Sequence, residues 1–317
     1  MIELLIQNGK TIYFPIVEDG IQLELERKNV PGRLTFSVVK DDLINFTEGN
    51  AVSLKMDGKG IFYGFVFSKQ RDKGNTIKVT AYDQLRYLKN KDTYVYSNKT
   101  ASEVVKMIAS DFRLQVGSID DTSFKIKSRV EDNKTLFDII QTSLDLTLMN
   151  KKTMYVLYDD FGKLTLKNIN NMKLNLMIDE ETGENFDYTS SIDSQTYNKI
   201  KLISNSEKTG KKIYIAQNST SMNDWGVLQY FETIDEKTNG KEKAYALLSL
   251  YNKKTRSLSV NNAFGDVRVK GGSAVVVQLN LGDIKVENFM IVEKVKHTFE
   301  NDHHTMSLTL KSGDFNV

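Results

Sequence analysis

From Arg33 to Val39 the chain reads RLTFSVV, with Leu34, Phe36 and Val38 alternating with Arg33, Thr35 and Ser37. A period of two buries one face of a β-strand. AVSLKM (51–56), IFYGFVF (61–67) and TIKVTAY (76–82) continue the pattern, and the polar SKQRDKGN between the last two predicts a hairpin tip. Short strands separated by turn signals predict a small barrel or sandwich over residues 1–96. The period then lengthens. In TASEVVKMIASDF, Thr100 and Glu103 have capping-box spacing, and Ala101, Val104, Val105, Ile108 and Phe112 share one helical face. A second helix is predicted from about Thr135 to Leu148, with Leu136, Phe137, Ile140 and Leu144 inward, followed by a hairpin over 154–169 that turns at Asp159-Asp160-Phe161-Gly162.

These features make residues 97–175 an α+β insert. Residues 176–255 read as a second α/β insert whose strands also contribute to the barrels: NKIKLIS, KIYIAQN, a strand around Val227–Ile234, and a helix over 241–253 marked by Ala244, Leu247, Leu248 and Tyr251. Residues 256–317 return to strands: SLSV, DVRV, SAVVVQLNL, NFMIVEKVKHTF and TMSLTLKSGD. Between the first barrel and the first insert, AYDQLRYLKNKDTYVY (81–96) reads as a corner. Asp83 caps one turn that carries Leu85 and Leu88, and Asn90 closes it. The expected class is therefore α+β, mostly β.

One internal comparison organises the whole. GNAVSLKM with GFVFSKQRDKGNTIKVTAYD (49–83) and GGSAVVVQL with FMIVEKVKHTFENDHHTMSLTLKSGD (271–314) repeat one layout: a Gly-containing turn, an apolar strand, a second apolar strand ending in alternating charge, a polar loop, and an alternating strand closed by Asp. Two related β-barrels at the chain ends would produce it, and three such chains would present six similar modules.

Composition narrows the partners. Lys+Arg 43 against Asp+Glu 41 gives a net charge of +2 with both signs interleaved, which is not the footprint of a polyphosphate binder. With no cysteine there is no disulfide, thiolate nucleophile or Cys-based metal cluster. MIELLIQNGKTIYFP lacks the charged and apolar regions of a secretory leader, and no run of about 18 apolar residues occurs. A soluble protein, made and assembled in the cytoplasm, is expected, with no membrane partner.

Candidate chemistry is sparse. Tyr82, Arg86, Tyr87, Lys89, Lys91 and Tyr94 are residue types suited to single-stranded nucleic acid, but Asp83 and Asp92 lie among them and repel phosphate, so no nucleic-acid recognition is expected. His297, His303 and His304 with Asp302 suggest a metal site. Adjacent histidines on a strand face opposite ways, so a polar hairpin tip is the plainer account. Asp159-Asp160 has the makings of a glycosidase-type pair. Its position in a hairpin turn explains it better. The acids Asp179, Glu180, Glu181 and Glu184 lack the spacing of a calcium loop, and Lys270-Gly271-Gly272-Ser273 is not a phosphate loop. No Gly-x-Ser-x-Gly elbow is present. The expectation is a protein without catalytic residue, metal or cofactor. The alternatives are a cell-wall hydrolase or protease using Asp159 and Asp160, and a carbohydrate-binding module with an aromatic platform around Trp225 or Tyr230.

The stretch from Pro31 to Tyr96 and the segment IVEKVKHTFENDHHTMSLTL (291–310) resemble the XkdQ/YqbQ-type family, baseplate hub proteins of contractile tails in Gram-positive prophages and phage-tail-like particles. The resemblance spans essentially the whole chain and is weakest over 176–260. It implies a homotrimeric hub with two tube-like barrels per chain, a pseudo-sixfold face for the tail tube protein and a threefold face for the spike protein. Other baseplate proteins and the tape-measure protein complete the implied partners, in a virion or tail-like particle. Some related hubs carry a fused peptidoglycan hydrolase. Here the chain closes at Val317 after the last hairpin, so such an activity is expected on another polypeptide. The ring-contact candidates are Lys69, Arg71 and Asp72 at one hairpin tip, Asn301, His303 and His304 at its counterpart, and Arg86 and Tyr87 at the corner.

Overall fold

Alternation sets the N-terminal sheet. The computed structural model describes residues 1–312 apart from 19, 42, 72, 194, 207–209, 235, 237, 281–284, 301 and 302. Its first strands are β1 (Ile2–Asn8), β2 (Thr11–Tyr13), β3 (Ile21–Glu26), β4 (Arg33–Val39), β5 (Ala51–Met56), β6 (Lys59–Arg71) and β7 (Thr76–Tyr82). They lie side by side in the order β3-β4-β7-β6-β5-β1-β2, every pair antiparallel. Leu34, Phe36 and Val38 stand opposite Ala81, Val79 and Ile77, and all six are buried. One wet and one dry face per strand explains that register, because a slip of one residue would turn the three apolar residues of the slipped strand outward.

Asp83 ends β7 and opens the corner. Its side chain accepts hydrogen bonds from Leu85 N (3.0 Å) and Gly32 N (2.9 Å), so one carboxylate caps the 3₁₀ turn Gln84–Lys89 and ties it to the start of β4. The insert that follows contains β8 (Lys91–Lys99), α1 (Ala101–Asp111), β9 (Val116–Ile119), β10 (Ile126–Thr135), α2 (Leu136–Lys151), β11 (Tyr155–Asp159) and β12 (Leu164–Asn168). The capping box at α1 forms as expected: Glu103 N donates to Thr100 Oγ1, and Thr100 N to Glu103 Oε2. α1 and α2 bury Val104, Val105, Ile108, Leu136, Ile140 and Leu144 in a core shared with Leu85, Leu88, Tyr94 and Tyr96.

The second insert holds β13 (Lys173–Ile178), β14 (Asn185–Ser191), β15 (Lys199–Ser206), β16 (Gly210–Gln217), α3 (Ser219–Trp225), β17 (Gln229–Ile234) and α4 (Gly240–Tyr251). β15 pairs antiparallel with β16 and parallel with β17, and α4 covers them through Ala244 and Leu247. The chain returns to the main sheet with β18 (Thr255–Phe264), β19 (Ala274–Asn280), β20 (Lys285–Glu300) and β21 (His303–Ser312). Here the order is β14-β18-β21-β20-β19, with β13 parallel to β19.

Two expectations need correcting. Separate barrels at the chain ends do not form: one thirteen-stranded sheet runs from β14 to β2 through both ends, and no pairing among the described residues closes either half on itself. The cause is the length of β20, whose first half pairs with β19 and whose second half reaches past it to β3. DVRV (266–269) is a turn rather than a strand. Asp266 takes Arg268 N and the Arg268 guanidinium on its side chain and Val269 N on its carbonyl, which folds the segment locally.

Candidate assembly interface

The repeated sequence layout corresponds to a repeated topology. β4-β7-β6-β5 and β18-β21-β20-β19 are the same four-strand arrangement in the same chain order, flanked by β3 and β14 respectively. The irregularities repeat as well. Phe67 is the extra residue between the pairs Val66/Ala81 and Ser68/Thr80, and Glu293 is the extra residue between Val292/Leu310 and Lys294/Thr309. Bulges bend a strand at a defined place, so two at matched positions indicate one design used twice.

The turns entering β5 and β19 match bond for bond. Gly49 N donates to Val66 O (2.8 Å) and Val66 N to Asn50 O (2.9 Å); Gly272 N donates to Val292 O (2.7 Å) and Val292 N to Ser273 O (2.8 Å). Thr47 N is received by the side chain of Asn50 at 2.9 Å, and Lys270 N by that of Ser273 at 3.0 Å. Gly49 and Gly272 hold φ of +86° and +93°, which a side chain rarely tolerates.

Where the second half of β20 lies against β3, the two copies meet inside one chain. The register runs from Lys294 opposite Glu26 to Phe299 opposite Ile21. Charge follows the register. Lys294 Nζ lies 3.0 Å from Glu24 and 3.4 Å from Glu26, and Arg33 reaches Glu24 at 2.6 Å. Burial pushes the Glu24 carboxyl up, but the hydrogen bonds from Arg33 and Lys294 outweigh it and hold its pKa below the ordinary value. At the bulge, Arg27 N donates to Glu293 O (2.9 Å), and the Arg27 guanidinium meets Glu293 Oε1 through Nε at 2.8 Å and Nη2 at 2.7 Å.

The candidate residues fall in three places. Lys69 lies on the outer half of β6, its Nζ giving a hydrogen bond to Phe46 O (2.6 Å) above the Phe46 ring, and Arg71 is exposed at the strand's end. Asp72 and Asn301 lie outside the described residues. His303 is exposed, whereas His304 is half-buried, stacked on Phe299 at 4.3 Å and bonded through Nε2 to His297 Nδ1 at 3.0 Å. His297 Nε2 in turn donates to Val269 O at 3.0 Å, and burial holds this imidazole down at about 4. Arg86 lies over the Phe67 ring, and Tyr87 packs against Phe65 and Phe67, so the corner is built by aromatic packing on the bulge. Among the described candidates, Arg86 and Tyr87 share a contact through the Phe67 ring, two residues before Lys69.

The acids and the aromatic ring named for the alternative chemistries have partners in the fold. Asp159 turns inward to Gly162 N (2.6 Å) and Gln84 Nε2 (3.0 Å), while Asp160 pairs with Lys270 at 2.7 Å. Burial and the neighbouring Asp159 carboxylate push Asp83 well above its usual pKa. Tyr230 packs edge-on to Tyr197 and stacks on Tyr251. Missed in the sequence were Arg27, Glu293, the acids of β3 and the open edge of β14. The single signal for them was the alternating charge at 293–296, which complements Glu24 and Glu26 only once β3 is known to be the neighbour.

No helix among the described residues is long and apolar enough to cross a membrane. The chain is 31% identical to the Bacillus subtilis uncharacterized protein YqbQ over 322 residues, covering 97% of this chain and 96% of that one. It is 32% identical over 320 residues, with the same coverages, to the phage-like element PBSX protein XkdQ of that organism. The fold resembles the 43 kDa tail protein of prophage MuSo2 from Shewanella oneidensis, with a TM-score of 0.74 at 12% identity, covering 99% of this chain and 100% of that one. Matched by the YQBQ-like family model over residues 21–311 and aligned with these relatives along nearly its whole length, the chain belongs to the YQBQ-like family.

Proposed function

We propose that the chain is a structural protein of a phage tail or phage-tail-like particle, a baseplate hub that acts without catalysis. Three copies form a ring of six similar units that adapts a sixfold tail tube to a threefold spike. The observation that carries this reading is the doubled four-strand unit with its matched bulge and matched turn. A chain holding two copies of one unit converts threefold symmetry into an approximate sixfold one. The names of the relatives support the setting: one belongs to a phage-like element, and the fold is shared with a prophage tail protein.

In this reading residues 1–96 and 256–317 supply two tube-like walls, each completed as a barrel-like curve in the assembled ring, with inserts 97–175 and 176–255 outside them. The tips at 69–75 and 301–304 and the corner at Arg86 and Tyr87 make ring contacts. The tail tube protein, spike protein, other baseplate proteins and the tape-measure protein are the partners, met in the bacterial host cytoplasm during assembly. Native mass spectrometry and axial electron-microscope views of the purified chain test the reading. A three-chain ring with six lobes is expected. A single-chain particle that turns over peptidoglycan would sink it.

A further inference from the structure

The joint inside one chain is a template for the joint between chains. β20 runs on beyond its partner β19, and its second half takes β3, the flanking strand of the other unit. β6 does the same: Ala51, the first residue of β5, stands opposite Phe65, while β6 continues through Arg71. On the side of Ser68–Arg71 away from β7, no strand lies among the described residues. At the far end of the sheet, β14, the counterpart of β3, pairs among the described residues with β18 alone. Its Phe186 and Tyr188 are half-buried where the corresponding Ile21 and Leu23 are buried. An open, polar seven-residue edge strand without Lys or Pro is a template for pairing.

We infer that β14 of one copy pairs antiparallel with the outer half of β6 in a second copy of this chain, repeating between chains the β3–β20 joint within each. The inference rests on the three-chain ring reading and names its contact. Matched positions fix the register. Leu23 and Tyr188 both face the strand residues opposite Ala81 and Leu310, namely Leu34 and Leu258. Ser68 and Lys294 stand opposite Thr80 and Thr309. Transferring the internal register places Ser68 opposite Ser191, Lys69 opposite Ser190, Gln70 opposite Thr189, and Arg71 opposite Tyr188.

Charge agrees with this direction. Going outward on β6, KQRDK (69–73) carries three cations and one acid; going backward from β14, the segment 187–179 carries five acids and no cation. In this register Asp187 falls opposite position 72, between Arg71 and Lys73, and Ser68, Thr189 and Ser191 stand where Lys294, Glu24 and Glu26 stand in the internal joint, so that joint's ion pairs are not repeated. A second difference is built in. Gly271 lets the end of β3 pass so closely that a Cβ there would lie 2.4 Å from the Glu26 carbonyl carbon, whereas the matched position in the first unit is Glu48. The joint between chains therefore opens at that corner by the width of a side chain.

The chain has no cysteine, so a single engineered pair reads the contact. Gln70→Cys with Thr189→Cys places two exposed positions directly opposite, within the roughly 4.4–6.8 Å between Cα atoms that a disulfide spans. Within one chain the two strands are roughly 30 Å apart along the sheet, so a bond forms only between copies. Under mild oxidation the full-length double variant should give a reducible species of three chains, at least tenfold above either single variant and above Gln70→Cys with Lys212→Cys on the separate strand β16. Native mass spectrometry of the unaltered chain reads the assembly independently. A three-chain ring without the Gln70–Thr189 bond overturns the pairing and leaves the hub reading standing. Neither ring nor bond overturns both, and the bond in a chain that is monomeric when dilute supports the pairing.

Discussion

Cutting the Arg27–Glu293 pair should loosen the place where the two halves of the long sheet join. The side chains are 10% and 18% exposed, too buried for the roughly 0–1 kcal/mol of a surface pair. Removing one partner strands the other charge where water reaches it poorly, which costs about 3–5 kcal/mol when a pair is fully buried. Residual exposure and the second contact of Arg27, Nη1 to Met154 Sδ at 3.5 Å, place each single variant near the lower end. Glu293→Ala and Arg27→Met should therefore each lose about 3 kcal/mol, whereas Arg27→Met with Glu293→Leu should lie within about 1 kcal/mol of the parent, since apolar replacement removes both charges together. The main-chain bond from Arg27 N to Glu293 O is available to all three. Urea unfolding followed by the far-ultraviolet strand signal measures the differences. Fluorescence of the sole tryptophan, Trp225, would report on α3 instead. Singles that cost less than 1 kcal/mol, or a double variant as damaged as the sum of its singles, would refute the reasoning.

Removing the matched side-chain acceptors should reveal how differently the two turns are buried. Ser273→Ala costs about 1–2 kcal/mol in the same urea assay because Ser273 is 3% exposed, and Asn50→Ala costs about 0.5 kcal/mol because Thr47 N can turn to water; equal losses would contradict that account. Acid should weaken the second unit. His297, held at about 4 against an ordinary 6.5, and His304, also lowered by burial, bind protons more readily when unfolded. Their contribution is complete above about pH 6.5 and is lost as pH falls toward 4, by roughly 3 kcal/mol for His297. The unfolding midpoint of a His297→Gln variant should vary less across that window than the parent's, and parallel curves would exclude the histidines as the cause.

Local signals carried the sequence reading far. The alternation of RLTFSVV and TIKVTAY, the Thr100/Glu103 box, the apolar faces of α1 and α2, the Asp83 cap and the Asp159–Gly162 turn each depend on residues a few positions apart. Each formed as read. The repeated layout was legible for the same reason, since it is a comparison of local patterns. DVRV misled because its alternation is shared with a turn that Asp266 closes on itself.

What the sequence determined by itself is most of the strands and helices, though not β14 or α3, which face of each is dry, and that one unit occurs twice. Tertiary structure alone decided which edge meets which. Alternation specifies the buried face of a strand but says nothing of the neighbour at its side. The joint that leaves the sheet open instead of closing two barrels pairs Arg27 with Glu293 across 266 positions. That choice lies in the reach of β20 past β19, and main-chain hydrogen bonds at an edge, being the same for every residue type except proline, leave no mark in the sequence.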